Sequence, residues 1–327
     1  MSIYPSKLNR GDEIRVLAPS DSMSSVSKEH ITEARASLEG LGFRVSFGKR
    51  SFEKNDFNSS SSIEARVKDL HDAFKDKDVK MILPIIGGYH SNQLLSYLDY
   101  DLISRNPKLL GGYSDTTALQ NAIFAKTGIV TYSCIAFIMM AKVRNNDYSF
   151  ESFLQCFTSD NQYKLLAPKY WDDSQWYLDQ QNYELFTDTE LKVINNGSGA
   201  GKIIGGNLSS LRLLQGTEYF PGQDEDYILF LEECEPSKGA DFDREFQSLL
   251  HFLKLKHLKG IVIGRFQMGS QVDYKALTDI FSQYKEINEI PIIVNAPFGH
   301  TYPISAFPIG GLASIETNPA SITIIKH

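Results

Sequence analysis

A serine that could act as a nucleophile lies in residues 111–119, whose sequence is GGYSDTTAL. This residue, Ser114, follows the apolar pair Leu109 and Leu110 and precedes an apolar-periodic segment, an order that predicts a strand, a tight glycine turn and a helix. At such a turn the hydroxyl is exposed where the free amides and dipole of the helix favour negative charge. The pattern has the geometry of a nucleophile elbow without the G-x-S-x-G sequence. The alternative is that Ser114 or Asp115 caps the helix, which is the commoner role of these residue types.

A serine nucleophile needs a base within hydrogen-bond reach, and the base needs a carboxylate that orients it. Of the seven histidines, His90 and His300 lie in glycine-containing loops after apolar strands, and such loops often carry function. Glu232 and Glu233 follow the apolar run 227–231. Neighbouring strand residues point to opposite faces, so only one of these two glutamates can aim into a site, and spacing does not choose between them.

Two glycine pairs could also serve a site. Gly87 and Gly88 could present free amides to an oxyanion, or they could form a tight turn, which is the commoner use of paired glycines. The segment 205–207 (GGN) lacks a P-loop lysine and the dinucleotide-binding pattern, so it predicts a structural turn. No histidine or carboxylate spacing suggests metal ligation, and we expect neither a metal nor a cofactor.

The composition describes an ordinary globular protein. Its 327 residues are 42% hydrophobic and 22% charged, and the net charge of -7 argues against nucleic acid or an anionic membrane surface as a partner. Three widely spaced cysteines support neither a disulfide framework nor a zinc site. The first residues lack the apolar core of a signal peptide, and no apolar run approaches the roughly 20 residues that span a bilayer. We expect a cytoplasmic protein.

The elements that must position these residues follow an alternating pattern. The first half predicts helices at 27–39 and after a capping box at Ser61 and Glu64, and strands at 13–18, 44–47 and 81–86. This alternation predicts a parallel sheet with helices on both faces, in which sites collect at the carboxyl ends of the strands. The glycine pair and Ser114 both fall there.

The remainder of the chain changes character twice. Residues 146–190 are rich in aromatic side chains, show little periodicity and predict a connection with a long functional loop. The region 191–327 resumes with helices near 208 and at 241–255, and with strands at 201–207, 227–231, 260–264, 290–294, 312–316 and 321–325. The close spacing of the last strands predicts a mixed α/β domain whose sheet is partly antiparallel. We therefore expect a nucleophile domain at 1–145, a connecting segment at 146–190 and a second domain at 191–327.

Taken in order, these segments resemble the LD-carboxypeptidase family of serine peptidases over nearly the whole chain. The motifs are the Ser114 turn and 11–20 (GDEIRVLAPS), 87–95 (GGYHSNQLL), 98–100 (LDY), 106–108 (NPK), 205–208 (GGNL), 231–233 (LEE), 299–300 (GH) and 308–310 (PIG). The resemblance implies a flavodoxin-like N-terminal sheet and a triad of Ser114, Glu232 and His300. It also implies an oxyanion hole at the amides of Gly88 and Asp115, and a homodimer.

The family has a peptidoglycan-recycling branch and a microcin C self-immunity branch. Ser91 and Asn92 resemble the immunity branch, and Ile86 stands where the recycling branch typically has an arginine. The aromatic loop with Trp171 and Trp176 also resembles the immunity branch, where aromatic rings stack on a nucleobase; the alternative is that a tryptophan packs the loop onto its domain.

The resemblance implies hydrolysis of an amide bond in a small peptide or an aminoacyl-nucleotide. The implied substrate contacts are Gly87, Ser91, Asn92, Trp171 and Trp176. One alternative is removal of terminal D-alanine from muropeptides, and another is a non-catalytic immunity protein that binds a small ligand.

Overall fold

The N-terminal half is built around a parallel sheet, as the alternation predicts. The computed structural model describes all residues 1–327. This half contains β1 (Glu13–Leu17), α1 (Lys28–Gly40), β2 (Arg44–Phe47), α2 (Ile63–Lys75), β3 (Val79–Pro84), α3 (Tyr100–Arg105), β4 (Leu109–Leu110), α4 (Thr116–Thr127) and β5 (Thr131–Ser133). Strands pair in parallel in the order β2-β1-β3-β4. The carboxyl ends of β1, β3 and β4 therefore meet at one edge of this sheet.

One helix start differs from its prediction by a residue. The N-cap of α2 is Ser62, whose hydroxyl accepts a hydrogen bond from the Ala65 amide at 3.1 Å. The capping box at Ser61 and Glu64 is therefore wrong, because the chain enters the helix one residue later. Leu70 and Phe74 lie on the buried face of α2, as its periodicity predicts.

The connecting segment is more regular than its sequence predicts. It contains α5 (Asp147–Thr158) and β6 (Tyr163–Lys164). Ser149 and Ser152 interrupt the apolar stripe of α5, and this interruption conceals its periodicity. Both hydroxyls are buried and accept hydrogen bonds at 2.9 Å from the amides of Ile304 and Ala306. The serines thus join α5 to the chain just beyond His300.

The C-terminal half forms a mixed sheet. Its elements are β7 (Lys192–Asn195), β8 (Ser198–Asn207), α6 (Leu208–Arg212), β9 (Tyr227–Glu232), α7 (Gly239–Leu250), β10 (Leu258–Arg265), α8 (Tyr274–Phe281), β11 (Ile292–Gly299), β12 (Phe307–Ile309), β13 (Leu312–Thr317) and β14 (Ala320–Lys326). The eight-stranded order is β6-β14-β13-β8-β9-β10-β11-β7. Strands β8 to β11 are parallel and the flanking strands are antiparallel, which confirms the partly antiparallel sheet. No helix combines the length and apolar character that crossing a membrane requires.

The two halves meet where β8 approaches α4. Gly205 and Gly206 lie inside β8 and not in a structural turn, so that prediction is wrong. Gly206 has a φ of 118°, and a Cβ at this position would lie 2.5 Å from the Thr117 hydroxyl oxygen. Asn121 donates a hydrogen bond from its Nδ2 to the Gly205 carbonyl at 2.8 Å. Glycine is required here because the strand backbone packs directly on the helix that follows Ser114.

Candidate active site

Ser114 lies in the turn between β4 and α4 with its backbone in a left-handed conformation. Its φ is 62°, which is uncommon for a residue with a side chain. A Cβ built on Gly87 would lie 2.9 Å from the Ser114 hydroxyl oxygen. The glycine pair after β3 therefore packs against the serine, and a larger residue at the first glycine would fill the space around the hydroxyl.

Three side chains from both halves form one hydrogen-bonded series. His300 follows β11, and its Nε2 lies 3.1 Å from the Ser114 hydroxyl oxygen. Its Nδ1 lies 2.6 Å from Oε2 of Glu232, the last residue of β9. The structure therefore brings together the serine, base and carboxylate that the family resemblance implies.

Burial and the neighbouring Glu232 shift the pKa of His300 in opposite directions. Burial lowers the pKa of this imidazole, but the charge and hydrogen bond of Glu232 raise it, and the net pKa lies above the usual 6.5. The Glu232 side chain is only 4% exposed. A carboxylate held out of water in this way favours the imidazolium that forms when the histidine accepts a proton.

The two alternatives left open by spacing have other partners. Glu233 accepts hydrogen bonds from Asn207 Nδ2 at 2.9 Å and from the Ser209 hydroxyl at 2.6 Å, so it anchors the start of α6. His90 lies 3.0 Å from the Ser60 hydroxyl through its Nδ1. Neither side chain forms a hydrogen bond to Ser114.

The backbone amides of Gly88 and Asp115 donate no hydrogen bond within the chain. The Asp115 nitrogen lies 3.6 Å from the position that a Cβ on Gly87 would occupy, so this amide borders the same space as the serine hydroxyl. The Asp115 carboxylate makes no capping bond to α4, so the capping alternative is wrong for that side chain. It instead accepts a hydrogen bond from the Ser91 amide at 2.8 Å.

A cavity of about 490 Å³ opens beside His300. Its wall includes Tyr113, Met139, Trp176 and Tyr302, and the carboxylates of Asp173 and Glu235 also line it. Trp176 is 3% exposed and donates a hydrogen bond from its Nε1 to the Tyr302 hydroxyl at 2.7 Å. An aromatic wall beside the reactive groups can accept a flat or apolar part of a ligand.

The other four residues implied as substrate contacts do not all border the site. Gly87 borders Ser114, and Asn92 is half-buried in the turn that follows. Ser91 is fully buried, and its hydroxyl donates to the Asp115 carbonyl at 2.7 Å. Trp171 does not line the cavity beside His300; its ring packs on Phe186 at 4.6 Å.

Sequence reasoning missed several wall residues of the cavity. Tyr113 and Tyr302 are close in sequence to Ser114 and His300, so their proximity was a usable signal. Met139, Asp173 and Glu235 come from separate segments, and no local pattern links them to the serine. No group of three histidine, cysteine or carboxylate side chains could hold a metal ion.

Comparison with known families matches both halves of the chain. Residues 14–134 match the LD-carboxypeptidase N-terminal domain, and residues 200–315 match the LD-carboxypeptidase C-terminal domain. The putative carboxypeptidase YocD of Bacillus subtilis is 48% identical over 99% of this chain and 100% of its own length. A probable murein peptide carboxypeptidase of the same organism is 29% identical over 97% of this chain and 92% of its own length.

Solved structures share the complete fold. An MccF-like protein from Bacillus anthracis is 47% identical and superposes with a TM-score of 0.97 over 100% of both chains. The microcin C7 self-immunity protein MccF of Escherichia coli is 29% identical over 97% of this chain and 94% of its own length. MccF in complex with aspartyl sulfamoyl adenosine superposes with a TM-score of 0.90, at 28% identity and 99% coverage of both chains.

Proposed function

Because this chain belongs to the LD-carboxypeptidase family of peptidases, we propose that it is a serine peptidase that hydrolyses an amide bond in a small peptide or an aminoacyl-nucleotide. The observation that carries this proposal is the hydrogen-bonded series from Ser114 through His300 to the buried Glu232. These are the nucleophile, base and orienting carboxylate of a triad.

The mechanism follows from these contacts. His300 accepts the hydroxyl proton as the Ser114 oxygen attacks the amide carbonyl carbon. The carbonyl oxygen becomes an oxyanion that accepts hydrogen bonds from the free amides of Gly88 and Asp115. The imidazolium then protonates the leaving amine, and water, deprotonated by His300, hydrolyses the acyl-enzyme. Glu232 stabilises the imidazolium and remains a carboxylate throughout.

Aminoacyl-nucleotides are the substrate class that we favour. The cavity of about 490 Å³ has a volume typical of small-molecule sites, and Trp176 supplies an aromatic wall beside His300. MccF, which shares the fold, was solved with aspartyl sulfamoyl adenosine. We propose that Gly87, Asn92 and Trp176 contact the substrate. We assign Ser91 and Trp171 a supporting role because the Ser91 hydroxyl binds Asp115 and the Trp171 ring packs on Phe186.

Muropeptides are the second candidate substrates. The identity to the murein peptide carboxypeptidase of Bacillus subtilis is 29%, the same as the identity to MccF. Turnover of an LD-linked murein tetrapeptide should therefore be compared with turnover of an aminoacyl sulfamoyl adenosine. If D-alanine is released faster than the aminoacyl group, muropeptides take the place of aminoacyl-nucleotides as the preferred substrate class.

Labelling by a fluorophosphonate tests the serine mechanism directly. We expect one label per chain at Ser114 in the folded protein, none in Ser114→Ala, and full labelling in Ser96→Ala, which alters an exposed serine. The substitution at Ser114 should leave the unfolding temperature nearly unchanged. If intact mass shows no label on the folded wild-type protein, the protein binds its ligand without this chemistry and the peptidase proposal fails.

A further inference from the structure

Resting on the proposed peptidase function, we propose that the buried carboxylate of Asp115 is a positioning group that fixes the spacing between the two oxyanion-binding amides. Asp115 directly follows the nucleophile and is 4% exposed. Its own amide lies 3.6 Å from the position that a Cβ on Gly87, in the glycine pair after β3, would occupy. The carboxylate connects the turn that carries one amide to the loop that carries the other.

The contacts of the carboxylate show this connection. Its Oδ2 accepts hydrogen bonds from the Ser91 amide at 2.8 Å and from the Ser20 hydroxyl. The Ser91 hydroxyl donates in return to the Asp115 carbonyl at 2.7 Å. Both serines are fully buried. Reciprocal bonds of this kind, out of contact with water, hold two loops in one relative position.

Three loops meet at this carboxylate. Ser20 follows β1, Ser91 follows β3 by way of the glycine pair, and Asp115 follows β4. The loop after β1 also contacts the glycine pair, because the Asp21 amide donates to the Gly87 carbonyl at 3.2 Å. Each free amide is therefore tied to the same centre, the Asp115 amide directly and the Gly88 amide through its loop.

Arg66 of α2 also binds the loops that follow β1 and β3. Arg66 is 3% exposed, and its guanidinium donates hydrogen bonds to the carbonyls of Pro19 at 3.0 Å and His90 at 2.8 Å. Burial lowers the pKa of Arg66, and the nearby carboxylates of Asp115 and Asp21 counteract that effect. The cation and the carboxylate thus stabilise one loop arrangement through opposite charges.

The spacing of the two amides matters in the transition state of the reaction. The amides are needed only when negative charge develops on the carbonyl oxygen, so loss of their spacing should slow reaction at Ser114. The Ser114–His300–Glu232 contacts do not involve the Asp115 carboxylate. The pH at which His300 titrates should therefore stay unchanged when this carboxylate is removed.

The test is the rate at which a fluorophosphonate labels Ser114 in the full-length protein, measured across pH by intact mass. We expect Asp115→Ala to lower this rate about 100-fold, with the pH midpoint within about 0.3 of wild type. The variant keeps both amides but lets one move out of hydrogen-bond reach of the oxyanion, and an oxyanion donor typically contributes 100- to 1000-fold. Asp115→Asn retains an oxygen at the Oδ2 position and should lose only a few-fold. Asp101→Ala, an exposed aspartate of α3, is the matched control and should label at the wild-type rate.

Each outcome decides between this inference and a general structural role. Labelling of Asp115→Ala at the wild-type rate, equal slowing in Asp115→Asn, or a displaced pH midpoint in Asp115→Ala would overturn the inference. If Asp115→Ala does not fold, Ser20→Ala removes one of the two bonds to the carboxylate; about tenfold slower labelling supports the inference and an unchanged rate contradicts it. Absence of label from the wild-type protein would instead reject the peptidase proposal.

Discussion

At the residue scale, the position of the Ser114 hydroxyl depends on backbone geometry that a serine rarely adopts. Ser114 has a φ of 62°, a conformation that costs of the order of 1–3 kcal/mol when a side chain is present. Gly87 packs against the Ser114 side chain, and the Ser114 hydroxyl oxygen lies 3.1 Å from Nε2 of His300. The surrounding contacts therefore stabilise a conformation that presents the hydroxyl to the base.

The pH dependence of labelling should report the pKa of His300. In the proposed mechanism the neutral imidazole is the base, so reactivity should be lost as the pH falls through its pKa, which Glu232 holds above 6.5. In Glu232→Gln the charge that raises this pKa is removed while the burial that lowers it remains. We expect the midpoint to move to lower pH and the maximal labelling rate to fall about 100- to 10,000-fold.

The control for this substitution is Glu64→Gln, which alters an exposed glutamate at the start of α2. Its labelling profile should coincide with that of the wild-type protein. A midpoint in Glu232→Gln that stays in place or rises would show that Glu232 does not set the protonation of His300.

At the element scale, a buried ion pair attaches the aromatic segment to Lys142, and a backbone bridge attaches it to the chain beside His300. Lys142 Nζ lies 3.2 Å from Asp172, and the two side chains are 2% and 0% exposed. The backbone of Asp172 exchanges hydrogen bonds with Tyr302 at 2.8 and 2.9 Å. Since Tyr302 also binds Trp176, the ion pair positions the aromatic wall of the cavity.

Removal of this cation should destabilise the protein strongly. Lys142→Ala leaves the Asp172 carboxylate buried without its charge partner, and we expect a loss of about 3–5 kcal/mol in the free energy of unfolding. Lys275→Ala breaks an ion pair whose side chains are 81% and 64% exposed, and it should leave the free energy of unfolding nearly unchanged. Urea unfolding measures both values, and equal losses in the two variants would contradict the anchoring role.

At the scale of the whole molecule, the site exists only because the two halves pack together. Ser114 comes from the first half, whereas Glu232 and His300 come from the second. Strand β5 pairs with β12 across the junction, and one hydrophobic core includes Val16 and Phe230 from opposite halves. The junction therefore sets the distance between Ser114 and His300.

Asn121 tests the dependence of the site on the junction. Asn121→Ala removes the buried hydrogen bonds that this side chain exchanges with the Gly205 backbone, which should cost about 1–3 kcal/mol in unfolding free energy. Because α4 would shift against β8, the labelling rate of Ser114 should fall as well. Asn288→Ala, at an exposed position, should change neither quantity. Lower stability with an unchanged labelling rate would show that the junction does not set the triad distance.

The sequence by itself determined the class of fold and the set of reactive residue types. Apolar periodicity and glycine punctuation predicted the parallel sheet, the partly antiparallel second sheet and the strand-end position of Ser114. These features are local, so each can be recognised within a short stretch of chain. The ordered motifs then identified the family. Residue spacing alone did not choose between His90 and His300, or between Glu232 and Glu233.

Only the tertiary structure decided which of those side chains meet. Strand alternation requires that one of Glu232 and Glu233 faces away, but the face that meets His300 depends on how two sheets pack. The same packing places Trp176 in the cavity wall and Trp171 outside it. It also brings Gly205 and Gly206 of β8 against α4, and it places the Ser20 hydroxyl and the Ser91 amide within hydrogen-bond reach of the Asp115 carboxylate. Each of these outcomes depends on contacts between residues far apart in the chain, which local patterns do not encode.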